Sequence, residues 1–269
     1  MSSSTTSGQG QGDEAPDLVC VVDCVHGMVD ALSCVRWNKH QGAVVELSEH
    51  GIVVTVEESG CLQAKVYLKT ELFAEYDYGA EGRSTLLLRS VGSPDACIHA
   101  EIRTRIPDTV AWDYHFEHAG NTPVTFTVKS AILKESIDDL EWPGSSIQIQ
   151  FHPDPPSVIF KGEGHGDLEI EFSYYANTDL LIAFQCDQEL SYRYKYKFLR
   201  ATTSNVPSSV LKENRGSKVT IGRGGMLKIQ HLVSVARLGT QSYHNFAGGA
   251  QQPSRIAFIE FFVKPEEDD

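Results

Sequence analysis

The chain spells the same order of elements twice: a short strand, an amphipathic helix, then a run of strands. The first pass opens on Leu18-Val19-Cys20-Val21-Val22, which reads as a short buried strand. Val25 to Trp37 follows with Val25, Met28, Val29, Leu32 and Val35 at helical spacing, and with His26, Asp30, Ser33 and Arg36 on the other side. Ala43 to Ser48, Ile52 to Glu57 and Cys61 to Leu68 then alternate or run β-branched between Gly- and Ser-containing turns, the grammar of an antiparallel meander. Phe73 to Tyr78, Thr85 to Arg89 and Cys97 to Ile102 extend it. The second pass sets a strand at Val124 to Val128 and a helix at Ala131 to Leu140, with Ile132, Leu133, Ile137 and Leu140 on one side and Pro143-Gly144 as its stop. Strands follow at Ser146 to Phe151, Ser157 to Phe160, Asp167 to Tyr175 and Leu180 to Gln185. Such repetition of supersecondary units predicts an α+β protein with two similar halves.

Residues 105–122 break the pattern. They have no clean period and carry Pro107, Asn121 and three separated aromatics, so they read as a connector. The expected organisation is a disordered polar tail over 1–15, a first domain over 16–104, the connector over 105–122, a second domain over 123–264 and an acidic tail over 265–269. A chain of 269 residues buries a core of this kind without disulfides or metals. The beginning of the sequence has neither a basic region nor an apolar one and does not read as a signal peptide. No window of 18 consecutive apolar residues occurs to form a spanning helix. Cys20, Cys24, Cys34, Cys61, Cys97 and Cys186 form no CxxC pair and sit mostly in apolar runs, so they read as reduced core thiols of an intracellular protein.

Charge is segregated. Ser191 to Lys228 holds Arg193, Lys195, Lys197, Arg200, Lys212, Arg215, Lys218, Arg223 and Lys228 against the single acid Glu213, inside a chain of net charge -13. A polyanion-facing surface has this character, as does a solvated Lys-rich strand and loop. The acidic whole argues against non-specific coating of nucleic acid, so any contact with it is local. Within the stretch, Tyr192, Tyr194, Tyr196 and Phe198 alternate with cations. The segment therefore starts as a strand and turns helical near Tyr196, with its aromatics spent as core.

Motifs of chemistry are weak. Asp139-Leu-Glu141, Asp167-Leu-Glu169 and Asp187-Gln-Glu189 have the spacing of paired metal-binding carboxylates, but DxE by chance is expected among 36 acids. His115-Phe-Glu-His118 lies in the connector without a partner pair and reads as solvated loop. Gly222 to Gly225 and Gly162 to Gly166 lack the Lys-Ser/Thr and helix of a phosphate loop and read as hairpin turns. No catalytic residue, metal site or cofactor is expected.

Two helix-plus-meander halves joined by an irregular connector resemble the sliding-clamp family of the proliferating cell nuclear antigen. His50 to Tyr76, Phe160 to Ser173, Tyr192 to Thr203 and the ending IAFIEFFVKPEEDD resemble, in order and spacing, the Rad-one branch of the checkpoint clamp. The resemblance runs from about residue 16 to 269 with one gap: only GAEGRS stands where the family pattern has a further strand and a second helix of the first domain. It implies a nuclear, non-enzymatic subunit of a heterotrimeric ring, built with Rad-nine-like and Hus-one-like subunits and set by a clamp loader around double-stranded DNA in the damage checkpoint and repair. No membrane is involved. It implies that Arg36, Lys39, Lys129, Lys134, Lys195, Lys197 and Arg200 face the DNA backbone, with acids covering the outside. Subunits would join at Cys97 to Thr104 (Cys97, Ile98, His99, Glu101, Ile102) and Asp167 to Tyr175 (Asp167, Leu168, Glu169, Ile170, Glu171, Phe172). The rivals are a metal-dependent 3'-5' DNA exonuclease and a stand-alone binder of single-stranded DNA stacking bases on the Tyr192 to Phe198 aromatics.

Overall fold

Alternation of apolar and polar side chains dictates most of what the computed structural model shows, and the two passes fold as two units that share one sheet. The structure describes residues 18–22, 25–79, 85–93, 96–103, 113–118, 120, 122–142, 144–175, 180–212, 215–235 and 256–267, with the backbone alone for 85–93 and 96–103. The tail expected at the start, Cys24, Thr104 and the 105–112 stretch of the connector lie outside them.

The first unit contains β1 (Leu18–Val21), α1 (Val25–Ser33), β2 (Val44–Ser48), β3 (Gly51–Glu58), β4 (Leu62–Lys69), a 3-10 turn at Thr70–Leu72, β5 (Glu75–Tyr78), β6 (Thr85–Ser93) and β7 (Ala96–Arg103). The second contains β8 (Val124–Lys129), α2 (Ser130–Asp139), β9 (Ser146–Pro153), β10 (Pro156–Glu163), β11 (Asp167–Ser173), β12 (Leu181–Gln185) and β13 (Leu190–Lys195). It continues with α3 (Tyr196–Thr203), α4 (Ser208–Lys212), β14 (Gly216–Ile221), β15 (Leu227–Ser234) and β16 (Ile256–Val263).

An eight-stranded antiparallel sheet runs β12-β8-β14-β15-β16-β4-β3-β2, and a four-stranded one runs β11-β10-β9-β13. β1 pairs with β5 and β6 with β7 as two further ribbons. The units are joined where β16 pairs with β4, from Phe258 opposite Tyr67 to Val263 opposite Leu62. Leu227, Ile229, His231 and Val233 of β15 and Ala257, Ile259, Phe261 and Val263 of β16 all point to one buried face. The helices pack on that sheet: α1 and α4 on β15, α2 on β8 and β14, α3 on β16 and also on β13 of the four-stranded sheet. In the second unit the two sheets meet through Phe126, whose ring lies 5.5 Å from Phe151 and 6.0 Å from Phe160. Each of these fully buried rings contributes about 1.5–3 kcal/mol.

Three expectations are corrected. α1 ends at Ser33; of the expected stripe, Met28 is half-buried against the core and Val35, past the helix, is buried, but Val25, Val29 and Leu32 are exposed, and Gly27, Ala31 and Cys34 are buried instead. The reason is clearance: a Cβ on Gly27 would stand 2.7 Å from Val235 Cα, so only a small-residue face lets the helix close on the end of β15. β1 is exposed at Val19 and Val21 where a buried strand was expected; it lies in a two-stranded ribbon with β5, outside both larger sheets. Of the four cysteines described, all free, Cys34 is buried and Cys61 and Cys186 are half-buried, but Cys20 is exposed. Two elements were not anticipated, α4 and β14. The glycine runs are turns as expected. Gly224 and Gly225 take φ of 66° and 80° between β14 and β15, a left-handed conformation that suits glycine.

Candidate nucleic-acid and subunit interfaces

α3 begins where the period of the basic stretch changes. β13 buries Tyr194, whose hydroxyl donates to Gly225 O at 2.7 Å, and the chain then turns helical so that Tyr196, Phe198 and Leu199 go inward. The cations are left outside: Lys195, Lys197 and Arg200 are exposed. Tyr194, Tyr196 and Phe198 are committed to the core and Tyr192 is half-buried against it, as the alternation predicted. At the far end Asn205 Nδ2 donates to Arg36 O at 2.8 Å, which brings the loop after α1, with exposed Arg36 and Lys39, beside the end of α3. Lys129 and Lys134 are half-buried at the start of α2, which packs against α3.

The seven cations thus lie on or beside the helices that cover one face of the large sheet, but their electrostatics differ. Lys134 is paired with Asp138 at 2.5 Å, and Arg200 with Glu141. The outer side of α2 also carries exposed Glu135 and Asp139, so this helix is acidic where a purely cationic surface was expected. Lys195, Lys197, Arg36, Lys39 and Lys129 have no ion-pair partner among the described residues; Lys197 instead lies 4.6 Å over the Phe198 ring.

Beneath α3 lies a buried polar chain that sequence reasoning did not find. His231 Nε2 is 2.9 Å from Thr202 O, its Nδ1 is 2.7 Å from Ser217 Oγ, and Ser217 is 2.8 Å from Ser130 Oγ at the head of α2. A carbonyl can only accept, so Nε2 carries the proton and Nδ1 accepts from Ser217. Burial lowers the His231 pKa to about 4 against the Thr202 hydrogen bond, which raises it. The imidazole is neutral, and with His231 and Ser217 both buried the pair is a fastening of α3 and α2 to the sheet.

The expected edges are strand edges. β11 is the end strand of its sheet; Asp167, Glu169 and Glu171 are exposed, while Leu168 and Ile170 are half-buried and Phe172 is buried. β7 pairs only with β6 among the described residues and contains Cys97, Ile98, His99, Glu101 and Ile102.

Residues 113–118 of the connector are strapped over the other face of the sheet instead of hanging free. Tyr114 packs with Met226 and Phe262, its hydroxyl donating to Glu57 at 3.2 Å. Phe116 meets the Phe262 ring at 6.2 Å, and Lys228 lies 4.5 Å over Phe116. Arg223 holds Glu117 at 2.6 Å; hydrogen bonding from His115, then the Arg223 charge, lower the Glu117 pKa. His115 and His118 are solvated, as expected. Among the described residues no three His, Cys, Asp or Glu gather to hold a metal, and the DxE acids are scattered: Glu141 pairs with Arg200, Glu189 with His152.

This geometry agrees with what the chain is similar to. Residues 17–95 match the family model described as repair protein Rad1/Rec1/Rad17. The cell cycle checkpoint protein RAD1 of Mus musculus is 23% identical over 294 residues, covering 93% of both chains. That of Homo sapiens is 22% identical over 296 residues, covering 95% of this chain and 94% of the relative. Among solved structures, PCNA from Thermococcus kodakaraensis superposes with a TM-score of 0.67 at 12% identity, over 93% of this chain and all of the other. The fold is therefore the sliding-clamp fold.

Proposed function

Starting from a Rad1-like checkpoint clamp protein with the sliding-clamp fold, we propose that this chain is one arc of a heterotrimeric ring that encircles double-stranded DNA. Its two neighbours are Rad-nine-like and Hus-one-like subunits, and a clamp loader closes the ring. It works in the nucleus, in the damage checkpoint and in repair, as a platform without catalysis of its own. Clamp domains span 16–104 and 123–264, with 105–122 as connector.

The observation that carries the proposal is the pairing of β4 with β16. It joins the third meander strand of one unit to the last strand of the other. The remaining pair of equivalent positions, β11 and β7, each has a partner on one side only among the described residues. Repeating the same junction between chains pairs β7 of one with β11 of the next, a head-to-tail contact that closes into a ring when the rotation permits. The helix-covered face then turns inward, with Arg36, Lys39, Lys129, Lys134, Lys195, Lys197 and Arg200 toward the phosphates. A closed ring holds DNA by topology, so few unpaired cations suffice and sliding is preserved.

Co-expression with both partner subunits and native mass measurement tests this. The expected result is a complex of three different chains, lost on introducing proline at Glu169 or Ile170, adjacent positions of which one must turn its N–H outward. A chain that stays monomeric with both partners present refutes the proposal. Degradation of DNA ends in Mg²⁺ or Mn²⁺ that disappears with Asp187→Ala and Glu189→Ala would establish the nuclease instead.

A further inference from the structure

The two units are unequal, and the inequality leaves one position of the repeat uncovered. Between β12 and β15 the second unit has β13, α3, α4 and β14; between β5 and β6 the first has only residues 79–84. In the second unit β13 pairs with β9 and runs straight into α3, which packs on α2. By place in the repeat, β2 is the counterpart of β9 and α1 of α2. Among the described residues nothing pairs with the outer edge of β2, the end strand of the large sheet. The inward residues of β9, Ile149 and Phe151, are 1% and 0% exposed, whereas Val45 and Leu47 of β2 are 51% and 40% exposed. On α1, Val25, Val29 and Leu32 form one stripe at i, i+4 and i+7, exposed by 64%, 51% and 36%.

We infer that this open edge and bare helix stripe form one docking surface for a strand that runs directly into a short amphipathic helix, supplied by another polypeptide. The internal repeat defines the occupant: the strand adds to β2 as β13 adds to β9, and its helix lies on α1 as α3 lies on α2. Backbone pairing at the edge and apolar contact on the stripe divide the recognition. The chain does not supply the piece from its beginning, since residues 1–17 contain no alternating apolar run. Its described junctions of strand directly into helix, β8–α2 and β13–α3, are already seated in the second unit. The stripe carries no charge; on the same helix His26 and Asp30 face each other at 3.7 Å, and Glu46 is exposed between Val45 and Leu47 on β2. The contact on α1 is therefore apolar and persists at high salt. This inference rests on the repeat alone and not on ring assembly, which uses β7 and β11.

The probe is a labelled synthetic peptide with the sequence of Leu190 to Thr203, LSYRYKYKFLRATT, titrated against the full chain by fluorescence anisotropy. Saturable binding in the micromolar range is expected, weakened by salt because the peptide is basic and the chain acidic, but persisting at high salt and absent there for a scrambled peptide. At high salt, where the attraction of the peptide's cations is screened, Val29→Glu with Val45→Glu should weaken it at least about tenfold. Val25→Gln with Leu47→Gln, a milder pair, should do the same with the circular dichroism spectrum unchanged. Absence of saturable binding, or binding indifferent to both pairs, overturns the inference. A chain that is dimeric by native mass and becomes monomeric with Val29→Glu also overturns it, by making a second copy the occupant.

Discussion

His231 makes the attachment of α3 to the sheet sensitive to acid. Its folded pKa, about 4, lies below the ordinary 6.5, and the largest cause is burial. A group depressed in this way favours the fold fully above the unfolded pKa, and that contribution is lost as pH falls from 6.5 toward 4. With those two values the unfolded chain gains about 2 kcal/mol over the folded one by pH 5 and about 3 kcal/mol by pH 4. That is a large share of the stability of a typical domain. Other groups titrate in the same range, so the measurement is a difference. Urea unfolding of the wild type and of His231→Gln, a side chain that keeps one donor and one acceptor but does not titrate, is followed by circular dichroism at pH 7.5, 6 and 5. The variant starts less stable, and the wild type should approach it by about 2 kcal/mol as pH falls to 5. Parallel stabilities across the three pH values would refute the assignment of a buried neutral imidazole.

Further outcomes are expected. Reversing Lys195 and Lys197 to Glu should lower the salt slope of DNA association by the assembled ring by about 0.9 for each phosphate no longer neutralised, while Lys134→Ala changes it less, because Asp138 already holds that cation. An unchanged slope after the double reversal contradicts a DNA-facing role. Limited proteolysis should cut between Gly79 and Ser84 before it cuts the second unit, since the first unit leaves apolar surface uncovered; equal resistance of both halves argues otherwise. Gly225→Ala should cost about 1–3 kcal/mol in thermal or urea unfolding, because φ there is 80° and a Cβ would stand 2.4 Å from the Tyr192 ring.

Where one face of an element is buried and the other wet, the sequence spoke clearly. SIQIQF gave β9, and the shift from alternation to helical spacing at Tyr196 gave the junction of β13 with α3. What failed was the side of α1. Val25, Val29 and Leu32 have the spacing of a core stripe, yet they are exposed, because the segment that covers the equivalent position in the second unit has no counterpart among the described residues of the first. The buried side is marked by small size, Gly27 and Ala31, which a hydrophobicity pattern does not register. The strap at Tyr114 and Phe116 was illegible for another reason: two aromatics two residues apart in an aperiodic stretch show no partner until Phe262 and Met226 are beside them. β14 was recoverable, since Val219 and Ile221 alternate with polar residues. The cations of the candidate DNA face were legible as a local excess, but their neutralisation was not. Lys134 and Asp138 are four apart on one helix, whereas Arg200 meets Glu141 across 59 positions.

The strand pairing that joins β4 to β16 also has a mechanical meaning. Six consecutive residue pairs of backbone ladder, backed by Leu62, Ala64, Ile259 and Phe261 in the core, weld the two halves into a beam with no hinge in that seam. Bending such a beam means tearing a ladder within one continuous chain, while the like ladder of the proposed junction has no covalent link across it. In the proposed ring, strain imposed from outside would travel through each arc and concentrate at the joints between chains, and a gap would open there.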